Sequence, residues 1–281
     1  MPFELLFGFP IDRLAFMGSQ KIYSNAPLAL TVVELRHTTA PPLTEAELLT
    51  LKKQLSEVFP LARPAAAGLN VTVDSGVPAA QQLFNPRFMT RDNTAAVTYR
   101  QDAIVVETTA YKRRSALREL LRQAVDARQS VAKADGITRL GLRYINEVRA
   151  DIENSGDWTR WISPALTSVS GLHINDDSLT QAWQGLVVFG DQQNGVVLRH
   201  GNLDGYAVAP DGDLRRVTVP PGPFYLLDLD SFWEPADENP TLDWSNIEPH
   251  YDAAALSAYG LFEQLITNEY REEVLREHHE H

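Results

Sequence analysis

Asp228 and Asp230 stand two residues apart in the apolar run Phe224-Tyr225-Leu226-Leu227-Asp228-Leu229-Asp230. Alternate side chains of a strand share a face about 7 Å apart, so the pair could offer oxygen ligands to Mg²⁺ or Mn²⁺. The other reading is a polar face met by solvent or by an arginine of the next strand, because no third carboxylate or histidine is tied to the pair. Arg36, Arg143 and Arg199 lie in strand-like segments, where guanidinium groups can grip a phosphate or carboxylate bidentately. Glu34 and Glu107 could instead match them in a structural ion-pair network. His37, His200 and His250 are scattered, His173 stands near Asp176 and Asp177, and His278, His279 and His281 sit at an acidic end. None falls in a metalloprotease frame, and no nucleophile elbow, P-loop or dinucleotide fingerprint occurs. These residues name no cofactor. A triad gathered from distant positions would leave no local trace, so the question of catalysis stays open.

Charge and aromatic content add a second theme. The 281 residues carry 25 Lys+Arg against 37 Asp+Glu, a formal net charge of −12. Residues 228–281 hold fourteen carboxylates against Arg271 and Arg276 alone, so the whole excess lies there. Such a chain is poorly suited to grip a nucleic-acid backbone over a broad face. A local basic excess runs through Lys112, Arg113, Arg114, Arg118, Arg122 and Arg128. All five tryptophans follow residue 157; the spacing of Trp158 and Trp161 suits a core, whereas Trp233 and Trp244 fall in an acidic loop. Tryptophan is enriched among interface anchors. Trp233, Asp237, Glu238, Trp244 and Glu248 are therefore expected to form a contact surface for another protein, a basic one being the natural complement. The competing reading is a solvated helix face beside an acidic loop.

The elements that would position these groups follow from periodicity. Leu28–Arg36 reads as a strand, and Thr44-Glu45-Ala46-Glu47 is a capping box ahead of a helix that Pro60 stops. Ala65-Ala66-Ala67-Gly68 reads as a loop, followed by strands near 82–91, 94–100 and 103–110. An amphipathic helix begins near Ser115, with Leu117, Leu120, Leu121, Ala124 and Val125 inward and the arginines outward. Arg139–Val148 is a long strand. A short helix capped by Asp157 then carries Trp158 and Trp161. Strands near 180–189 and 195–200 flank an Asn194-Gly195 turn, and a second pair near 205–209 and 214–219 flanks Pro210–Asp213. Residues 252–276 form the last helix. The fold expected is α+β in two consecutive units, each a mostly antiparallel sheet packed by helices. Residues 24–150 make the first, β-α-β-β-β-α-β, and residues 151–281 the second, after an N-terminal extension over 1–23.

Three segments together resemble a known group. They are Ala26-Pro27-Leu28 running into Val33-Glu34-Leu35-Arg36, then Thr138-Arg139-Leu140-Gly141-Leu142-Arg143-Tyr144-Ile145-Asn146, then Tyr225–Asp230 with Phe262-Glu263 and Ile266-Thr267. In this order the chain resembles a sporadically distributed family of prokaryotic proteins with no assigned function. Patchy distribution is common among mobile and defence-related genes, so the resemblance implies a defence or toxin-neutralising role and no particular reaction. The sequence thus predicts a non-catalytic protein-binding component. The alternative is a nucleotide- or phosphate-binding protein, or a metal-dependent hydrolase, using Arg36, Arg143 and Arg199 with Asp228 and Asp230. No apolar run approaches the ~18–20 residues of a membrane span. The apolar start, interrupted by Pro10 and Asp12, reads as a segment packing on the body or a partner and not as a signal peptide. The absence of cysteine fits a reducing compartment, and the cytoplasm is the expected location.

Overall fold

Alternation in Leu28–His37 makes a strand, β1, with Val33 and Leu35 fully buried on one face and Glu34 and Arg36 on the other. The computed structural model describes residues 23–74, 77–152, 157–172, 182–217 and 219–275, with backbone pairing alone for 65–84. The expectations for the segment before Tyr23, for His173, Asp176 and Asp177, and for the terminal histidines lie outside the described residues. The capping box forms as read: Thr44 Oγ1 accepts from the Glu47 amide, and Glu47 accepts from the Thr44 amide at 2.7 Å, opening α1 (Glu45–Gln54). Next come β2 (Leu61–Ala62), β3 (Ala65–Asp74), β4 (Val77–Asn85), β5 (Arg87–Met89), β6 (Ala95–Tyr99) and β7 (Ala103–Thr108). Helix α2 (Arg114–Val131) leads to β8 (Ile137–Val148) and a short α3 (Pro164–Thr167). The remainder is β9 (Trp183–Gly190), β10 (Asn194–Gly205), β11 (Gly222–Trp233) and α4 (Trp244–Leu265).

The α+β class is as expected. Nine strands form one antiparallel sheet in the order β2-β5-β6-β7-β1-β8-β11-β10-β9. Strand β8 pairs with β1 on one side and with β11 on the other, so strands from 24–150 and 151–281 join a single sheet. Both halves put apolar side chains on the same face in matching register, and one helix layer covers both. Under that layer, Val33, Leu35, Ile104, Val106, Leu140 and Leu142 pack against Leu51, Leu117, Leu121, Ile247 and Tyr251. Farther along, Leu198, Tyr225, Leu227 and Leu229 meet Trp158, Trp161, Ala258 and Leu265. Helix α4 spans both clusters and ties them together.

Four local expectations change. Ala65–Gly68 belongs to β3, which pairs with β4 in a separate two-stranded ladder. Pro86 divides the strand expected over 82–91, leaving only β5 in the main sheet. The final helix starts at Trp244, with Pro249 inside it, because Asp243 caps it by accepting from the Asn246 amide at 3.1 Å. It stops at Leu265, where Ile266 turns extended and bridges to Ile162. Last, no hairpin surrounds Pro210–Asp213. Residues 206–217 cross the sheet's helix-free face as a strap: Leu214 packs on Met89 and Ala96, and Asp213 pairs with Arg87 at 2.9 Å.

Candidate functional site

The sheet's helix-free face gathers the predicted arginines and aspartates, as period-two alternation requires. Across β9, β10, β11 and β8, one row runs Leu186, Arg199, Asp228, Ile145, and the next Val188, Val197, Asp230, Arg143. Asp228 is buried, and Arg143 clamps it bidentately, Nε to Oδ1 at 2.7 Å and Nη2 to Oδ2 at 2.6 Å. Arg199 approaches the same carboxylate at 3.7 Å. Asp230 pairs with Arg139 at 3.3 Å. Glu34 is shared by Arg36, at 2.9 Å, Arg100 and Arg139. The hydrogen bond from Arg143 to Asp228 raises the guanidinium pKa, so Arg143 stays charged.

The metal site expected at Asp228 and Asp230 is therefore occupied by arginines, and among the described residues no group of three His, Cys, Asp or Glu could hold an ion. Gly141 contributes to this arrangement. The Arg139 guanidinium lies where a Cβ on Gly141 would project, and it continues over the Phe232 ring at 5.5 Å. Arg36, Arg143 and Arg199 do share one face, but their charges are met by Glu34 and Asp228. They make an ion-pair lattice more than an open anion site.

The proposed partner surface also turns inward in large part. Trp233 ends β11 and stacks on His250 with ring centroids 3.5 Å apart, and Trp244 is the first residue of α4, beneath Arg122 at 5.8 Å. Glu248 pairs with Arg118 at 2.9 Å, and Asp252 with Arg118 at 3.1 Å and Arg114 at 3.6 Å. The basic stripe of α2 and the acidic start of α4 thus face each other. Asp237 and Glu238 remain exposed in the bend between β11 and α4.

A different place has the shape of a site. A cavity of about 340 Å³ opens between the start of β1 (Ala26, Pro27, Leu28), β8 (Tyr144, Asn146) and α4 (Ala258, Tyr259, Phe262). Tyr111–Ser115, the lead into α2, forms its rim. Tyr111 and Tyr144 meet edge to face at 5.6 Å, and their hydroxyls hydrogen-bond. Burial pushes both phenols above their ordinary pKa, so they stay neutral. Tyr23 closes one side, its hydroxyl donating to Glu263 Oε1 at 2.8 Å. Lys112 and Arg113 are exposed at the rim with no carboxylate partner among the described residues, while Arg114 leans toward Asp252. None of the lining residues is Asp, Glu, His or Cys. The aromatic lining comes from separate segments and has little local signature in the sequence. Its one local signal was Tyr111 directly ahead of Lys112-Arg113-Arg114.

Compared with profiles of known families the chain matches none, and no curated protein matches it.

Proposed function

We propose that this protein binds a small amphiphilic anion, a carboxylate or phosphate on a flat or aliphatic body, in the cavity beside Tyr111 and Tyr144. The observation that carries this reading is the pairing of an apolar, tyrosine-lined interior with two cations at its mouth, Lys112 and Arg113, that meet no carboxylate among the described residues. A volume of about 340 Å³ suits a ligand of modest size. Interior apolar surface would bury the body, the Tyr111 phenol, which accepts from Tyr144, would donate a hydrogen bond, and the rim would attract the charge. This keeps the ligand-binding alternative read from the sequence and moves it off the sheet-face arginines.

The test is titration calorimetry with three probes: decanoate, indole-3-acetate and AMP. At least one should bind. The double variant K112A/R113A should weaken that probe by about tenfold, two rim charges being worth roughly 0.5–1 kcal/mol each. Ala258→Leu, which fills the interior, should weaken it at least as much. Silence from all three probes, or affinities unchanged in both variants, would sink the proposal.

A further inference from the structure

The two edges of the nine-stranded sheet are built differently. At one end β2 is two residues long, preceded by Pro60 and followed by Arg63 and Pro64. Shortness, proline and charge are the usual protections against edge-to-edge pairing. At the other end, β9 runs eight residues, Trp-Gln-Gly-Leu-Val-Val-Phe-Gly, without a charge, a proline or a bulge in its register with β10. Every second residue of β9 aims its N–H and C=O away from β10, and among the described residues no strand meets them. Side chains along this edge are apolar and open: Leu186 is 64% exposed, Val188 61% and Phe189 41%. An outward row of unpaired backbone groups is satisfied in register only by another extended strand.

We propose that β9 is a self-association edge, where a second copy of this chain pairs its own β9 antiparallel across a two-fold axis. The charge pattern selects that occupant. The excess of negative charge lies in residues 228–281, where two copies would repel each other, whereas β9 lies outside that segment and is a long sheet edge at which no charge would meet its like. A two-fold contact needs a surface complementary to itself, which a neutral antiparallel strand supplies. With the axis at Val187, Leu186 of one copy lies opposite Val188 of the other on the helix-free face. Phe189 then lies opposite Gly185, where no side chain competes for the space. Asp191 does not intrude, because its Oδ1 is held by the amides of Gln193 and Asn194 at 2.8 and 2.7 Å. The pairing would join two nine-stranded sheets into one continuous sheet.

Sedimentation equilibrium on the full chain tests this. Wild type should sediment as a dimer. The double variant L186K/V188K, which sets lysines opposite lysines, should sediment as a monomer with unchanged circular dichroism. Mixing it with L186E/V188E should restore a dimer containing one chain of each. A monomeric wild type at every concentration would overturn the proposal, as would a double-lysine variant that stays dimeric. Neither variant lies near the ligand cavity, so probe binding should persist in both.

Discussion

At Glu147, one buried carboxylate collects five donors. Oε1 accepts from the Ala207 and Val208 amides at 2.9 and 3.1 Å and from Arg216 Nη1 at 2.8 Å. Oε2 accepts from Arg216 Nη2 at 2.8 Å and Arg149 Nη2 at 3.1 Å. Burial alone would raise this carboxyl's pKa, but the Arg216, Val208 and Arg149 bonds outweigh it and hold it down at about 2. A depressed carboxylate stabilises the fold above its unfolded value, and that stability is lost as pH falls through the folded one. The loss should therefore fall between about pH 4.5 and pH 2, and amounts to roughly 3 kcal/mol. Glu147→Gln should lower stability at pH 7 by a comparable amount and flatten the acid limb, as urea titrations at stepped pH would reveal. A mutant with the wild-type acid slope would refute this role. Little of it was legible beforehand. Glu147 follows Arg143 and Asn146 along β8, but apart from Arg149 its partners lie 60 to 69 residues onward, in a segment that reads as a hairpin. Arg143 was different: its alternation with Leu142 and Tyr144 placed it on the charged face correctly.

Between elements, the governing pattern is the match of α2 with α4. Arg114, Arg118 and Arg122 recur at four-residue spacing and so form a stripe, as do Trp244, Glu248 and Asp252 on the facing helix. Their pairing explains why a basic excess and an acidic excess sit far apart in one chain: each neutralises part of the other. Arg118 and Asp252 are each about a third exposed, so solvent screens them. A double-mutant cycle on Arg118→Ala and Asp252→Ala should give a coupling of about 0.5–1 kcal/mol at low ionic strength, shrinking in high salt. Zero coupling at low salt would mean that the stripes are merely adjacent. Helix α2 was readable because its apolar period is strong. The start of α4 was not, because Pro249 and flanking acids imitate a loop until Asp243 caps the first turn and Ile247 and Tyr251 find the core.

For the molecule as a whole, the consequence of one shared sheet is one cooperative unit. Strand β8 has β11 as a neighbour, and Leu140 and Leu142 lie beneath Ile247 and Tyr251 of α4. Residues 24–150 alone would expose that strand edge and part of that core. They should fail to give a cooperative melt, whereas the full chain should unfold in a single transition. Tryptophan fluorescence, which reports only on the part after residue 157, should then coincide with far-ultraviolet circular dichroism, which reports on all of it. Separate midpoints for the two signals, or a cooperatively folding fragment, would show the halves to be independent. From sequence alone came the α+β class, the long strands and α2, and the shared sheet face of Arg143, Asp228 and Asp230, whereas Arg128, expected outward with the other arginines of α2, is buried. Those properties rest on periods of 2 and 3.6 residues, which are local. The joining of both halves into one sheet, the strap pinned by Glu147, the neutralisation of Asp228 by Arg143, and the tyrosine-lined cavity were decided only in three dimensions. Each depends on which distant segment arrives to meet a side chain, and spacing along the chain carries no record of that.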